Sequence, residues 1–182
     1  AVEGGVVEAL GWNRYGGWRI GIRSFDGQRY YYYAHLRSKH PYHAGLDEGS
    51  IVSAGDVIGY LGMTGYSTQE GANNIQTPHL HFGLQLIFDE VQKDGVNQIW
   101  VDVYALTELL TKNSCAVEKT EDGEYRRIYN FADRSCTQSA DAVFAPGTGM
   151  LPCISEQAHP SGAGEELEQG YDLPVIMYHS LI

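Results

Sequence analysis

Two histidines, His79 and His81, stand two apart in the segment Thr77–Leu86, TPHLHFGLQL. Successive side chains of a strand alternate faces, so both imidazoles leave the same face, about 7 Å apart at the backbone. At that separation the two rings can share one metal ion and its bound water. Leu80, Phe82, Leu84 and Leu86 then fall on the opposite, core-directed face, and Gly83 leaves space beyond the pair. The polar, solvent-facing side of an ordinary strand would give the same pattern. A third imidazole, His35, comes near the end of Tyr30–Leu36, YYYYAHL, and strand parity puts it on one face with Tyr31 and Tyr33. Three imidazoles over one cleft would suit hydrolysis, since a neutral histidine both accepts protons near neutral pH and ligates metals.

The elements that must hold these residues read as short strands over residues 1–87. Trp18, Ile20 and Ile22 alternate with Arg19, Gly21 and Arg23, and Asp26–Gly27 is a two-residue hairpin signal leading into the tyrosine run. Glycines at 55, 59, 62 and 65 punctuate very short strands, a pattern of tight corners in a small barrel or sandwich. The polar loops 39–50 and 66–78 are placed to wall a groove, with Tyr31, Tyr33, Trp12 and Tyr66 as aromatics that could meet a ligand or simply pack. Residues 88–100 read as a hairpin turning at Lys93–Asp94–Gly95. Asp102 then caps a short helix whose Val103, Leu106, Leu109 and Leu110 share one face. The fold class expected is all-β: a small antiparallel β-sandwich or barrel with one short C-terminal helix, followed by a largely unstructured linker.

Composition narrows the partners. The formal net charge is −11, and 22 glycines and 13 tyrosines fit a turn-rich sheet protein. Residues 1–45 carry a small basic excess and the remainder is strongly acidic, so no basic stripe for nucleic acid exists. No run of about 20 apolar residues could span a membrane. Cys115, Cys136 and Cys153 are too widely spaced for a zinc ribbon.

The order YYYYAHL, then GSIVSAGDVIGYLGMTG, then TPHLHFGLQL resembles the lysostaphin-like, or M23, zinc endopeptidases that cleave peptidoglycan, over about the first 110 residues. The resemblance implies a small antiparallel β-sandwich with a groove, and zinc bound by two histidines and an aspartate. His81 matches the zinc-binding second histidine of the H-x-H motif. His79 matches its first histidine and His35 the histidine of the tyrosine-rich strand, which form the catalytic, non-ligand pair. Chemically, zinc would lower the pKa of its bound water. His79 would take that water's proton and His35 would stabilise the oxyanion. The other two ligands are implied to lie in an H-x-x-x-D segment ahead of the strand that corresponds to Ala1–Leu10. The sequence opens at that strand without an initiating Met, so it is expected to be the interior of a longer protein and inactive as it stands.

The domain organisation expected is a peptidase domain over 1–112, a possible appended hairpin over 113–136, a flexible linker over 137–172, and the start of a second domain over 173–182. That last stretch, with MYHS at its centre, resembles the opening strand of NodB-type polysaccharide deacetylases. The function expected of the full-length protein is zinc-dependent hydrolysis of peptidoglycan peptides outside the bacterial cytoplasmic membrane. A catalytically degenerate module that binds cell wall or a partner hydrolase is the alternative. A biotinyl or lipoyl carrier domain is disfavoured, because no lysine lies between Gly45 and Lys93.

Overall fold

The computed structural model describes residues 1–128. Six strands form one sheet: β1 (Gly5–Asn13), β2 (Gly17–Ser24), β3 (Arg29–Ala34), β4 (Ile51–Val52), β5 (His81–Leu86) and β6 (Ile99–Trp100), in the spatial order β4-β1-β2-β3-β5-β6. Every pairing within it is antiparallel. The β2–β3 connection turns at Asp26–Gly27 as the sequence indicates. The Gly27 N–H donates to the Ser24 carbonyl at 2.9 Å, and Asp26 accepts from Ser24 Oγ and the Gln28 N–H.

One face of the sheet is apolar and covered. Val7, Ile20, Ile22, Tyr31, Tyr33 and Phe82 pack with Leu36, Leu46, Val52 and Ile58 from the segment between β3 and β5. That segment forms an irregular second layer, tied down by the bridges Leu36↔Leu61 and Tyr42↔Gly59. Burying side chains of this size stabilises by roughly 1.5–3 kcal/mol each, which makes this layer the main source of stability. A cavity of about 490 Å³ opens on the same side, lined by Val2, Tyr33, Phe82, Leu110 and Cys115 among others.

Tyr31 and Tyr33 are therefore core residues, 5% and 6% exposed, and do not meet the groove. The residues of β3 on the other face are Tyr30, Tyr32 and Ala34. His35 nonetheless reaches that outer face, because the strand ends at Ala34 and His35 adopts a left-handed φ of 61° that reverses its direction.

The segment after β5 differs from a simple hairpin. β6 does return to pair with β5, Gln85↔Trp100, but Glu90–Asp94 forms a short helix, α1. Asp89 causes this: its carboxylate accepts from the Gln92 N–H at 2.8 Å and caps the turn. The second helix, α2 (Tyr104–Lys112), is the one expected, and Asp102 accepts from its first N–H at 2.9 Å. The fold is thus mostly β and antiparallel, with two short helices instead of one. β7 (Val117–Lys119) and β8 (Tyr125–Arg127) pair as a separate hairpin. The linker expected over 137–172 and the second-domain start at 173–182 lie outside the described residues, as do Cys136 and Cys153.

Candidate active site

The outer face of the sheet carries the chemistry. Register places Ala34 of β3 opposite His81 of β5, so the residue that follows Ala34 turns over the first residue of β5. The ring centroids of His35 and His81 are 5.3 Å apart, and those of His35 and His79 are 4.9 Å apart. The three imidazoles expected from sequence therefore converge.

His35 is the most constrained of the three. Its backbone N–H donates to the Gly16 carbonyl at 2.7 Å, its carbonyl accepts from the Gly62 N–H at 2.9 Å, and its Nδ1 lies 2.8 Å from the Thr64 carbonyl. These bonds need the Thr64–Gly65 backbone pressed against the β1–β2 turn, which glycine alone permits. A Cβ at Gly17 would lie 2.4 Å from Thr64, and one at Gly65 would lie 2.4 Å from the Tyr15 carbonyl. Both glycines also sit at positive φ, 67° and 132°. Tyr66 stacks on the His35 ring at 6.1 Å and 22°, with Tyr15 edge-on to Tyr66 at 6.3 Å.

Carbonyl oxygens only accept, so the 2.8 Å contact of His35 Nδ1 with Thr64 fixes the neutral ring as the Nδ1–H tautomer. His79 is fixed in the same way by the Thr77 carbonyl, also at 2.8 Å. In each neutral ring Nε2 is then the unprotonated nitrogen, the atom that accepts a proton or ligates a metal. Burial pushes the His35 pKa down, and the Thr64 hydrogen bond only partly offsets this. Burial, aided by the proximity of His35 and His79, pushes the His81 pKa down to about 4. His81 is consequently neutral at physiological pH, the form that binds metal.

Aromatic groups complete the cleft. Tyr32 meets His81 edge-on at 5.9 Å and Trp100 at 6.3 Å, and its hydroxyl accepts from Asn13 Nδ2 at 2.8 Å. Trp100 packs close to β5 because Gly83 has no side chain; a Cβ there would come within 2.7 Å of the indole. Tyr32 was hidden from sequence reasoning by the parity argument that favoured its neighbours. The return strand that delivers Trp100 was recognisable, but not its position over Gly83.

A catalytic Zn²⁺ needs three protein ligands and an open position. Among the described residues, no group of three or more His, Cys, Asp or Glu side chains is arranged to hold a metal. His81 is the one expected ligand present, so the described donor set falls short of a zinc site. An H-x-x-x-D spacing does occur at His43 to Asp47, but it does not supply the missing ligands. His43 is buried with Nε2 directed at Glu124, 3.6 Å away, while Asp47 is exposed in the turn that precedes β4.

Comparison with known proteins gives the family of the chain. The model of the family described as Peptidase family M23 matches residues 1–97. An L-Ala--D-Glu endopeptidase of Bacillus subtilis (strain 168) is 48% identical over 80 residues, covering 44% of this chain and 23% of that protein. Lysostaphin of Staphylococcus simulans is 40% identical over 83 residues, covering 45% of this chain and 14% of that protein. The chain thus spans a quarter or less of the length of these two curated relatives. The crystal structure of the lysostaphin catalytic domain from Staphylococcus simulans aligns with a TM-score of 0.42 and 30% identity, over 59% of this chain and 68% of that one.

Proposed function

The chain belongs to peptidase family M23, and from that premise we propose that its cleft hydrolyses peptide bonds of bacterial peptidoglycan, outside the cytoplasmic membrane. The observation that carries the proposal is the convergence of His79 and His81 on His35, at ring-centroid distances of 4.9 and 5.3 Å, on the outer face of the sheet.

In this reading His35 and His79 perform the proton transfers. One ring accepts a proton from the attacking water at Nε2 as the water oxygen bonds to the scissile carbonyl carbon. The same Nε2–H then donates to the departing amine nitrogen, so the proton leaves with the product. The second ring stabilises the oxyanion of the tetrahedral intermediate in its imidazolium form, with protons on both Nδ1 and Nε2, a form that burial disfavours at His35. The sequence assigns the first role to His79 and the second to His35. The matching Nδ1 bonds to Thr77 and Thr64 serve either order, because both orient the ring and make Nε2 its unprotonated nitrogen. Zinc dependence is part of the proposal, with His81 as one ligand. As the described donor set is incomplete, the present stretch is proposed to be inactive by itself.

The reading extends along the polypeptide: residues 1–112 as the peptidase domain, 113–136 as an appendage, 137–172 as a linker and 173–182 as the opening of a glycan deacetylase. The test is metal analysis of the full-length protein together with cleavage of purified wall peptides. One zinc per chain, and cleavage abolished by chelator and restored by Zn²⁺, is the expected result. Cleavage unaffected by His79→Ala would overturn the proposal.

A second reading has one observation behind it, the shortfall of ligands around His81. A degenerate module would hold wall peptides in the same groove without metal. Full-length protein that binds wall peptides with unchanged affinity after chelation, and never cleaves them, would establish that reading.

A further inference from the structure

Arg19 lies on the same face of the sheet as the histidines, and the proposed reaction makes no use of it. Ile20 and Ile22 point into the core and are fully buried, so Arg19 projects from the opposite face. Register runs Gly11↔Arg19 between β1 and β2, and Ile20↔Tyr33 between β2 and β3, which sets Arg19 beside Ala34. Ala34 is in turn opposite His81. Two strand spacings, about 10 Å, therefore separate Arg19 from His81 at the backbone, with Ala34 between them and the Tyr32 side chain, bonded to Asn13, on the same face.

The surroundings of this guanidinium set it apart. Arg23, Arg29, Arg126 and Arg127 each pair with a carboxylate. Arg14 and Arg37 each lie over a tyrosine ring. Among the described residues Arg19 has neither kind of partner, although it is half-buried and close enough for its charge to act on Tyr30, Tyr32 and Tyr42. The acidic groups nearest those tyrosines are engaged elsewhere. Glu8 binds Arg23 and Lys93, and Glu48 accepts from the Leu10 N–H. A half-buried guanidinium presents a planar fork of donors, and its natural complement is a carboxylate.

We infer that Arg19 is a specificity-determining residue that binds a carboxylate of the substrate peptide. The inference rests on the peptidase reading and narrows its substrate class: the peptide carries an acidic residue within about three residues of the scissile bond, the span of 10 Å at ~3.3 Å per extended residue. A peptide such as L-Ala–D-Glu with a free carboxylate meets this requirement, and an all-glycine bridge does not. Arg19 acts on substrate selection and takes no part in proton transfer.

The experiment compares two peptides and three proteins. The peptides are an L-Ala–D-Glu-containing wall peptide and its counterpart with the D-Glu free carboxylate converted to carboxamide. The proteins are the full-length wild type, Arg19→Gln and Arg19→Lys, each titrated by calorimetry and assayed for cleavage. Wild type is expected to favour the acid over the amide at least tenfold in both Kd and kcat/KM. Arg19→Gln is expected to bring that ratio to near one, and Arg19→Lys to retain an intermediate preference. An unchanged acid-to-amide ratio in Arg19→Gln, with wild-type cleavage intact, overturns the assignment of Arg19 and leaves the peptidase reading standing. Wild-type protein that neither binds nor cleaves either peptide overturns the peptidase reading itself.

Discussion

His35 combines a conformational cost with a chemical role. A left-handed φ at a residue with a side chain costs on the order of 1 kcal/mol, and glycine escapes that cost. His35→Gly relieves the φ strain but removes a buried ring and its Thr64 hydrogen bond, so stability should fall by about 2–4 kcal/mol. Turnover should still fall by 10²–10⁴-fold, as expected when a proton-transfer group is removed. Urea unfolding and steady-state cleavage by the full-length protein measure the two effects separately. His79→Ala should show the same kinetic loss. At this scale the sequence was informative about identity and less so about direction. The H-x-H pair and His35 could be picked out by type and spacing, and the three rings do meet. The side of β3 that each tyrosine takes was also set by alternation, but alternation could not foresee that a single backbone torsion would carry His35 across to the face of Tyr32.

Among the elements, the β7–β8 hairpin is held by a polar latch that no sequence pattern announced. Glu124 precedes β8 and takes a hydrogen bond from the Tyr60 hydroxyl, one from the Ala44 N–H at 3.3 Å, and contacts from His40 at 2.6 Å and His43 at 3.6 Å. These partners lie some 64 to 84 residues away in the chain, beyond the reach of local periodicity. Burial alone would raise the Glu124 pKa, but the Tyr60 and Ala44 hydrogen bonds and the two histidines hold it below the usual value. A carboxylate whose folded pKa is depressed contributes stability above its unfolded pKa and loses it as pH falls through the folded value. Glu124→Gln should therefore reduce stability at pH 7 by about 1–3 kcal/mol, and the difference from wild type should shrink on acidification below pH 4.5. Denaturant titrations at several pH values provide the check. The helix α1 was missed for a related reason. The turn signal at Asp94–Gly95 is genuine, but the Asp89 cap upstream of it drives the intervening residues into helix before the chain returns as β6.

Across the whole molecule, the sheet separates two environments by the thickness of one strand. The core and the 490 Å³ cavity lie on one side; the histidines, Tyr32, Trp100 and Arg19 lie on the other. The all-β class and the β2–β3 hairpin were readable because alternation and turn residues repeat along the chain. The irregular second layer was not, since it is held by tertiary packing and isolated bridges. An alanine scan of β3 should give a sawtooth. Tyr31→Ala and Tyr33→Ala should cost about 3–5 kcal/mol of stability, as for other large buried aromatics. Tyr32→Ala should act mainly on KM for wall peptides. Thermal unfolding and Michaelis–Menten analysis of the set would show it, and a smooth profile would refute it. For evolution or engineering this partition works as a division of labour written into odd and even positions. Residues on one parity can drift to suit a new substrate while those on the other keep the scaffold standing, so a change of diet need not risk the fold.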